Sequence, residues 1–179
     1  MILKKTVGII VFHYILLIHF IGASFSFEEK SYVNGIPCGG YAADCVGRGQ
    51  ECEELRAFFE KWTPKAERCD PEAQELLGLK YSRSSVTWHE AVKWFKKAAE
   101  QGYAPAQFEL GVRYEYGEGV LQDFVFAHMW YNISASKGYG KARSFLSELT
   151  QKMTPVSIAK AQDMARDWKP TPCKSDSKK

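Results

Sequence analysis

Apolar side chains recur along this chain at the three- and four-residue steps of an α-helix, in several separated blocks. Leu55, Phe58, Phe59 and Trp62 fall at i, i+3, i+4 and i+7, which predicts an amphipathic helix stopped by Pro64. Ala91, Trp94, Phe95 and Ala98 repeat that stripe behind a Thr87-x-x-Glu90 capping box, with Gly102 as the stop. Ala127, Trp130, Tyr131 and Ser134 do so once more, between Asp123 as N-cap and Gly138 as stop. Between these two blocks Pro105 opens a helix that carries Ala106, Leu110 and Tyr114 on one side. Near the end, Thr154 caps, Pro155 takes the first turn, and Ile158, Ala161, Ala165 and Trp168 form a last stripe. The run from Val7 to about Ala23 differs, being apolar apart from His13 and His19.

The blocks are copies of one another. "AQELLGLKY" (Ala73 to Tyr81) lies over "AQFELGVRY" (Ala106 to Tyr114), and "AVKWFKKAAEQGY" (Ala91 to Tyr103) lies over "AHMWYNISASKGY" (Ala127 to Tyr139). The two alignments differ by three residues, all in the connecting loop, where a length change costs least. Each unit therefore reads as two helices joined by a turn. Ala98, Ala99, Ala106, Gly78 and Gly111 permit close helix approach, while Trp94 and Trp130 are expected to fill the space between neighbouring pairs. One pair cannot bury its own apolar face, so the units must stack, each forming part of the next one's core. A third unit, from "ARSFLSEL" at Ala142 onward, lacks the glycine loop and is expected to cap the C-terminal end. The resulting division is a leader over 1–26, a cysteine-rich segment with a capping helix over 27–69, two full units plus a capping unit over 70–168, and a polar tail over 169–179.

The string "AQFELGVRYEYGEGVLQDFVFAHMWYNISASKG", its degenerate partner "AQELLGLKY...AVKWFKKAAEQG" and the closing "MTPVSIAKAQDMARDW" resemble the Sel-one-like repeat family, a tetratricopeptide-like class. The resemblance spans Ala73 to Trp168; the first unit lacks Gly-x-Gly, and the cysteine-rich segment has no counterpart. It implies an all-α fold, an α-α superhelix built as a right-handed solenoid of stacked helical hairpins. The repeat positions it marks are Gly78, Tyr81, Trp94, Gly102, Gly111, Tyr114, Gly117, Gly119, Trp130, Gly138 and Trp168. It further implies a scaffold or adaptor that binds a protein or peptide on its concave face, formed largely by the first helix of each pair. Residues there that packing does not explain are Lys80, Gln107, Arg113 and Arg143; the equivalence of Lys80 and Arg113 suggests a short basic row suited to acidic or carbonyl groups.

Composition narrows the setting. Lys4 and Lys5, the apolar run and the small residues "GASFS" have the layout of a secretory signal cut near Ser26, with an uncleaved anchor as the alternative. The whole chain carries a formal net charge of +3, and removal of Lys4 and Lys5 leaves +1, with no basic block beyond Lys96 and Lys97. Nucleic acid is thereby disfavoured, and no membrane span is expected after cleavage. Cys38, Cys45, Cys52, Cys69 and Cys173 all follow the leader, where a secreted or periplasmic setting permits disulfides; their spacing fits neither zinc nor a redox Cys-x-x-Cys. Their odd number leaves one thiol for a possible disulfide-linked dimer, and neither metal nor cofactor is expected.

The enzyme alternative is a β-lactam-binding or hydrolysing protein, because some secreted cysteine-rich members of the family have been linked to that chemistry. Ser-x-x-Lys occurs at Ser134/Lys137, Ser157/Lys160 and Ser175/Lys178, but the Ser-Asp-Asn and Lys-Thr-Gly partners do not occur. The expectation is therefore no catalytic residue. His89 and His128 occupy non-equivalent repeat positions and read as surface helix residues. Gly117-x-Gly119 reads as an inter-helix turn, and the sequon Asn132-Ile133-Ser134 falls inside a helix.

Overall fold

In the computed structural model of the chain, residues 32–33, 36–37 and 49–173 are described. The expected leader, Cys38, Cys45 and the Ser175/Lys178 pair lie outside them. Among the described residues there are seven α-helices: α1 (Gly49–Glu67), α2 (Pro71–Tyr81), α3 (Trp88–Glu100), α4 (Ala104–Tyr116), α5 (Phe124–Ser136), α6 (Gly140–Gln151) and α7 (Pro155–Asp167). A 3-10 turn over Ser85–Thr87 precedes α3. The two-residue strands β1 (Tyr32–Val33) and β2 (Ile36–Pro37) pair antiparallel, Tyr32 opposite Pro37. No helix among the described residues is long and apolar enough to cross a membrane.

Helices α1 to α6 pack in chain order, each on the next. The result is an all-α stack of helical hairpins with a continuous apolar interior. One cluster joins Ala91, Phe95 and Ala98 of α3 to Ala106 and Leu110 of α4 and to Trp130 and Ile133 of α5. A second holds Leu55, Phe59 and Ala66 of α1 with Ala73 and Leu77 of α2, and a third holds Phe108, Tyr131, Ala142 and Leu149.

The small residues act as expected, with one shift of partner. A Cβ placed on Gly78 would lie 2.5 Å from the Phe95 ring, and one on Gly111 would lie 2.6 Å from the Tyr131 ring. The aromatic seated against each glycine is thus the residue after the tryptophan. Trp94 packs on the α1–α2 cluster, whereas Trp130 enters the α3–α5 cluster and meets Trp168. Gly117 takes the left-handed C-cap of α4, and Gly119 lies so close to the Trp88 carbonyl that a Cβ would sit 2.6 Å away.

Three helix ends are built alike. Gly102 N donates to Ala99 O (2.9 Å) and Tyr103 N to Ala98 O (3.1 Å); Gly138 and Tyr139 repeat this with Ala135 and Ser134, and Cys69 and Asp70 with Ala66 and Lys65. These are Schellman-type ends, with the residue at C′ left-handed: φ is +90° at Gly102, +88° at Gly138 and 68° at Cys69. Helix α1 therefore ends as the second helix of a unit does. The same correspondence explains the recurring glutamine. Gln74 Nε2 donates to Ala66 O at 2.9 Å and Gln107 Nε2 to Ala99 O at 3.1 Å, each tying a first helix to the end of the preceding second helix.

Three local expectations are corrected. Helix α1 continues through Pro64 to Glu67, because proline forfeits one backbone bond while the final turn places Ala66 in the core. The capping box does not form: Thr87 Oγ1 donates to Tyr81 O at 2.5 Å and Ser84 O at 3.0 Å, and makes no cap bond to α3. The closing helices do not form a hairpin like the others; α6 and α7 each pack against α5. Met164, Ala165 and Trp168 of this last stretch lie on the α3–α5 cluster. The expected caps of α5 and α7 do form, Asp123 accepting from Val125 N and Phe126 N and Thr154 from Ser157 N.

A covalent link closes the molecule. Cys69 is disulfide-bonded to Cys173, with Cα atoms 5.8 Å apart and 104 residues between them in sequence.

Candidate interaction surface

The first helices α2, α4 and α6 carry the residues expected to contact a partner. Lys80, half-buried, sets Nζ 4.8 Å from the centre of the Phe58 ring of α1. Arg113, at the equivalent position, lies 5.9 Å from the Phe95 ring of α3. Each cation thus covers an aromatic ring of the preceding helix, an attraction worth about 0.5–1 kcal/mol at an exposed site. The free basic row is nevertheless corrected. Arg113 is only 11 % exposed and is neutralised by Glu118, in a short contact, and by Glu109 at 3.5 Å. Gln107 is corrected as well, since it is fully buried and spends its amide on Ala99. Arg143, at the glutamine's position in α6, is exposed.

The charge that stands out on this face is negative. Glu75 of α2, half-buried, makes no hydrogen bond or ion pair among the described residues. Burial, followed by the nearby charges of Glu109 and Glu72, pushes its carboxyl up to about 7. Glu109 is also held above the usual carboxylate range, by burial, although Arg113 and Lys141 pull the other way. Burial and then the Glu75, Glu72 and Asp70 charges raise the Tyr103 phenol. Reasoning from sequence missed this grouping because Glu75, Phe108 and Ser144 are repeat equivalents, so no periodicity marks Glu75. The only signal was position, one step past the buried glutamine.

The chemistry-bearing side chains are largely occupied elsewhere. Ser134 is buried and donates to Ala104 O at 2.7 Å, and Lys137 Nζ reaches Gly102 O at 2.5 Å. Thr154 Oγ1 donates to Ser157 Oγ at 2.9 Å at the start of α7. His89 is exposed, as expected, but His128 is corrected: it is 2 % exposed on α5, and burial lowers its pKa. Helix α5 is packed by α4, α6 and α7, which leaves position 128 no outward face. Glu115 accepts from the Tyr131 hydroxyl at 2.8 Å and from Lys152 Nζ at 3.3 Å, binding α4, α5 and the turn after α6 together. No group of three potential metal ligands occurs among the described residues. An open cleft of about 660 Å³ lies between α5 and α7, floored by Met129, Met164 and Trp168 and rimmed by Lys160, Asp163 and Asp167.

Helical hairpins in tandem, sharing a core with each neighbour and presenting side chains from successive first helices, define a solenoid of the protein-repeat class. More particularly, residues 71–103 and 104–139 each match the family model of the Sel1 repeat, so the chain carries two Sel1 repeats. The boundaries coincide with the starts of α2 and α4. Over 67 residues it is 43% identical to chitin synthase regulatory factor 3 of Schizosaccharomyces pombe, covering 36% of this chain and 7% of that protein. Over 79 residues it is 37% identical to chitin synthase regulator SKT5 of Malassezia restricta, covering 44% of this chain and 6% of that protein. The chain thus spans less than a tenth of either relative. Among solved structures, c5321, a protective antigen of uropathogenic Escherichia coli with an SLR fold, superposes with a TM-score of 0.60 at 26% identity, over 65% of this chain and 26% of that one. A Sel1 repeat protein from Oxalobacter formigenes gives a TM-score of 0.46 at 30% identity, over 67% of this chain and 50% of that one.

Proposed function

We propose that this chain is a secreted or periplasmic Sel1-repeat scaffold that holds a protein partner on the face of α2, α4 and α6 and performs no catalytic step itself. One observation carries this reading: Glu75 is a half-buried carboxylate on that face with no cationic partner among the described residues, beside a Glu109–Arg113–Glu118 set that is already paired. A partner that supplies a lysine or arginine would relieve the unpaired charge, while Lys80 and Arg143 remain for acidic or carbonyl groups at either side. The expected partner changes accordingly, from an acidic segment to one of mixed charge that brings a cation to Glu75. Regulatory names on the fungal relatives support a scaffold role, and the antigen character of the bacterial neighbour supports exposure outside the cytoplasm. The leader pattern and the Cys69–Cys173 disulfide support an oxidising compartment. The Ser134 hydroxyl, committed to Ala104, supports the absence of acyl-transfer chemistry.

The test is capture by the disulfide-intact chain on beads from the matching extract, identified by mass spectrometry, beside Glu75→Gln and Lys80→Ala/Arg143→Ala variants. One protein retained by the wild type and lost with Glu75→Gln is the expected outcome. Equal retention by all three would place the contact elsewhere. A chromogenic β-lactam assay on the same beads should show no turnover. With Cys69 and Cys173 paired, a disulfide-linked dimer would use Cys38, Cys45 or Cys52, and would run at twice the monomer mass on a non-reducing gel.

A further inference from the structure

Beyond α7 the chain does not leave the stack. Trp168 turns into extended backbone (φ −66°, ψ 137°), and the segment to Cys173 runs back along the edge where second helices hand over to first helices. Trp168 meets Trp130 at 5.8 Å between ring centres, and Lys137 Nζ lies 5.3 Å from the Trp168 ring. Trp168 and Pro170 lie over Gly102, where an added Cβ would be 4.0 Å from the first and 3.7 Å from the second. Thr171 N donates to Glu100 O at 2.7 Å, and Cys173 reaches Cys69 one unit further back. A second observation is independent of the first. The repeats serve as their own alignment, and at the left-handed C′ position two units use Gly102 and Gly138 while the first uses Cys69 at φ 68°. An L side chain is disfavoured there, so a cysteine in that place answers to something other than the helix end. Both cysteines are partly exposed and within reach of a small thiol.

We propose that residues 169–173 are a redox latch hinged at Trp168. A dithiol reductant closes the exchange: its thiolate attacks one sulfur of Cys69–Cys173, its second thiol resolves the mixed disulfide, and it leaves as its own disulfide. Two electrons and two protons are thereby delivered to the protein as the Cys69 and Cys173 thiols. Residues 169–173 are then held by the backbone bond from Thr171 to Glu100 and the weak contact of Gln74 Nε2 with Cys173 Sγ at 3.9 Å, and they swing free of Gly102. Trp168 stays on Trp130, and the hairpins stay stacked, because none of residues 169–173 belongs to the apolar clusters. Release uncovers the end of α3 and the Gln74–Gln101 pair, whose side chains meet at 2.7 Å beside Cys173.

Native-state hydrogen exchange reads this out amide by amide. With the disulfide intact the Thr171 amide should be protected; with dithiothreitol its exchange should accelerate about tenfold or more and approach that of an open chain, while the interior amides of α4 and α5 stay protected by the stack. Cys69→Gly, which restores the residue the other units use and should fold, must give the fast Thr171 exchange without reductant, as must Cys173→Ser. Persistent Thr171 protection after reduction and in Cys69→Gly would overturn the latch. So would loss of protection throughout the helices on reduction, which would mean that the hairpins do not stay stacked without the crosslink.

Discussion

At the scale of single residues, the glycines and one carboxylate make the sharpest claims. Gly78 and Gly111 each admit an aromatic ring of the next helix, so Gly111→Ala should destabilise by about 1–3 kcal/mol through overpacking against Tyr131. Gly140→Ala, with open space and ordinary φ in the first turn of α6, should be neutral or stabilising by about 0.4–1 kcal/mol. Urea unfolding of the two variants checks the contrast, and a Gly111→Ala protein as stable as wild type would refute the close approach. Glu75 adds a pH dependence. Its folded pKa, about 7, lies above the ordinary 4.5, so its contribution to stability is complete below about pH 4.5 and is lost as pH rises toward 7. Glu75→Gln should remove that slope and be the more stable protein at pH 8, by about 1 kcal/mol once solvent screening is allowed for. Sequence showed the close-approach glycines because alanine and glycine recur at matched positions. It did not show that Gln107 and His128 are buried, because a polar side chain inside and one outside look alike until its neighbours are known.

At the scale of elements, most helices are specified by stripe and cap together. Asp123 accepts from Val125 N at 2.8 Å and Phe126 N at 3.1 Å, so Asp123→Ala should cost about 1 kcal/mol and raise exchange in the first turn of α5 alone. Thr87→Ser keeps the hydroxyl that bonds the Tyr81 and Ser84 carbonyls, whereas Thr87→Val discards it. The valine variant should therefore lose about 1–3 kcal/mol that the serine variant retains, measured by thermal unfolding. A capping box predicts something different, namely loss confined to the first turn of α3. Sequence located Thr87 correctly and mistook its bond, since a threonine before a helix can serve the helix ahead or the turn behind. It also ended α1 at Pro64, where the burial of Ala66 outweighs one missing backbone bond. The placement of α7 on α5 was not legible, because a stripe of Ile158, Ala161, Ala165 and Trp168 states that a face is buried and not against which helix.

At the scale of the whole molecule, a solenoid is quasi-one-dimensional: each unit contacts only its neighbours, and its ends fray independently. The Cys69–Cys173 bond breaks that rule by joining the end of α1 to the segment after α7, with the complete repeats enclosed between them. The order and number of the repeats were readable, because tandem copies announce themselves. The clasp was not, because five cysteines allow many pairings and the stretch "WKPTPC" has no period. Closing so long a loop should stabilise the oxidised protein by about 2–4 kcal/mol relative to the reduced one. It should also make the stack unfold as one unit: Trp fluorescence, which reports from Trp62 of α1 through to Trp168 after α7, and far-UV circular dichroism should give coincident urea transitions when oxidised and separate ones when reduced. The left-handed position then separates the crosslink from its cost. Cys69→Ser and Cys69→Gly both lose the bond, but only glycine fits φ 68° without strain, so Cys69→Gly should be the more stable by about 1 kcal/mol. Equal stability would mean that the first unit's helix end has relaxed away from the geometry it shares with Gly102 and Gly138, and that the cysteine holds it there only while bonded.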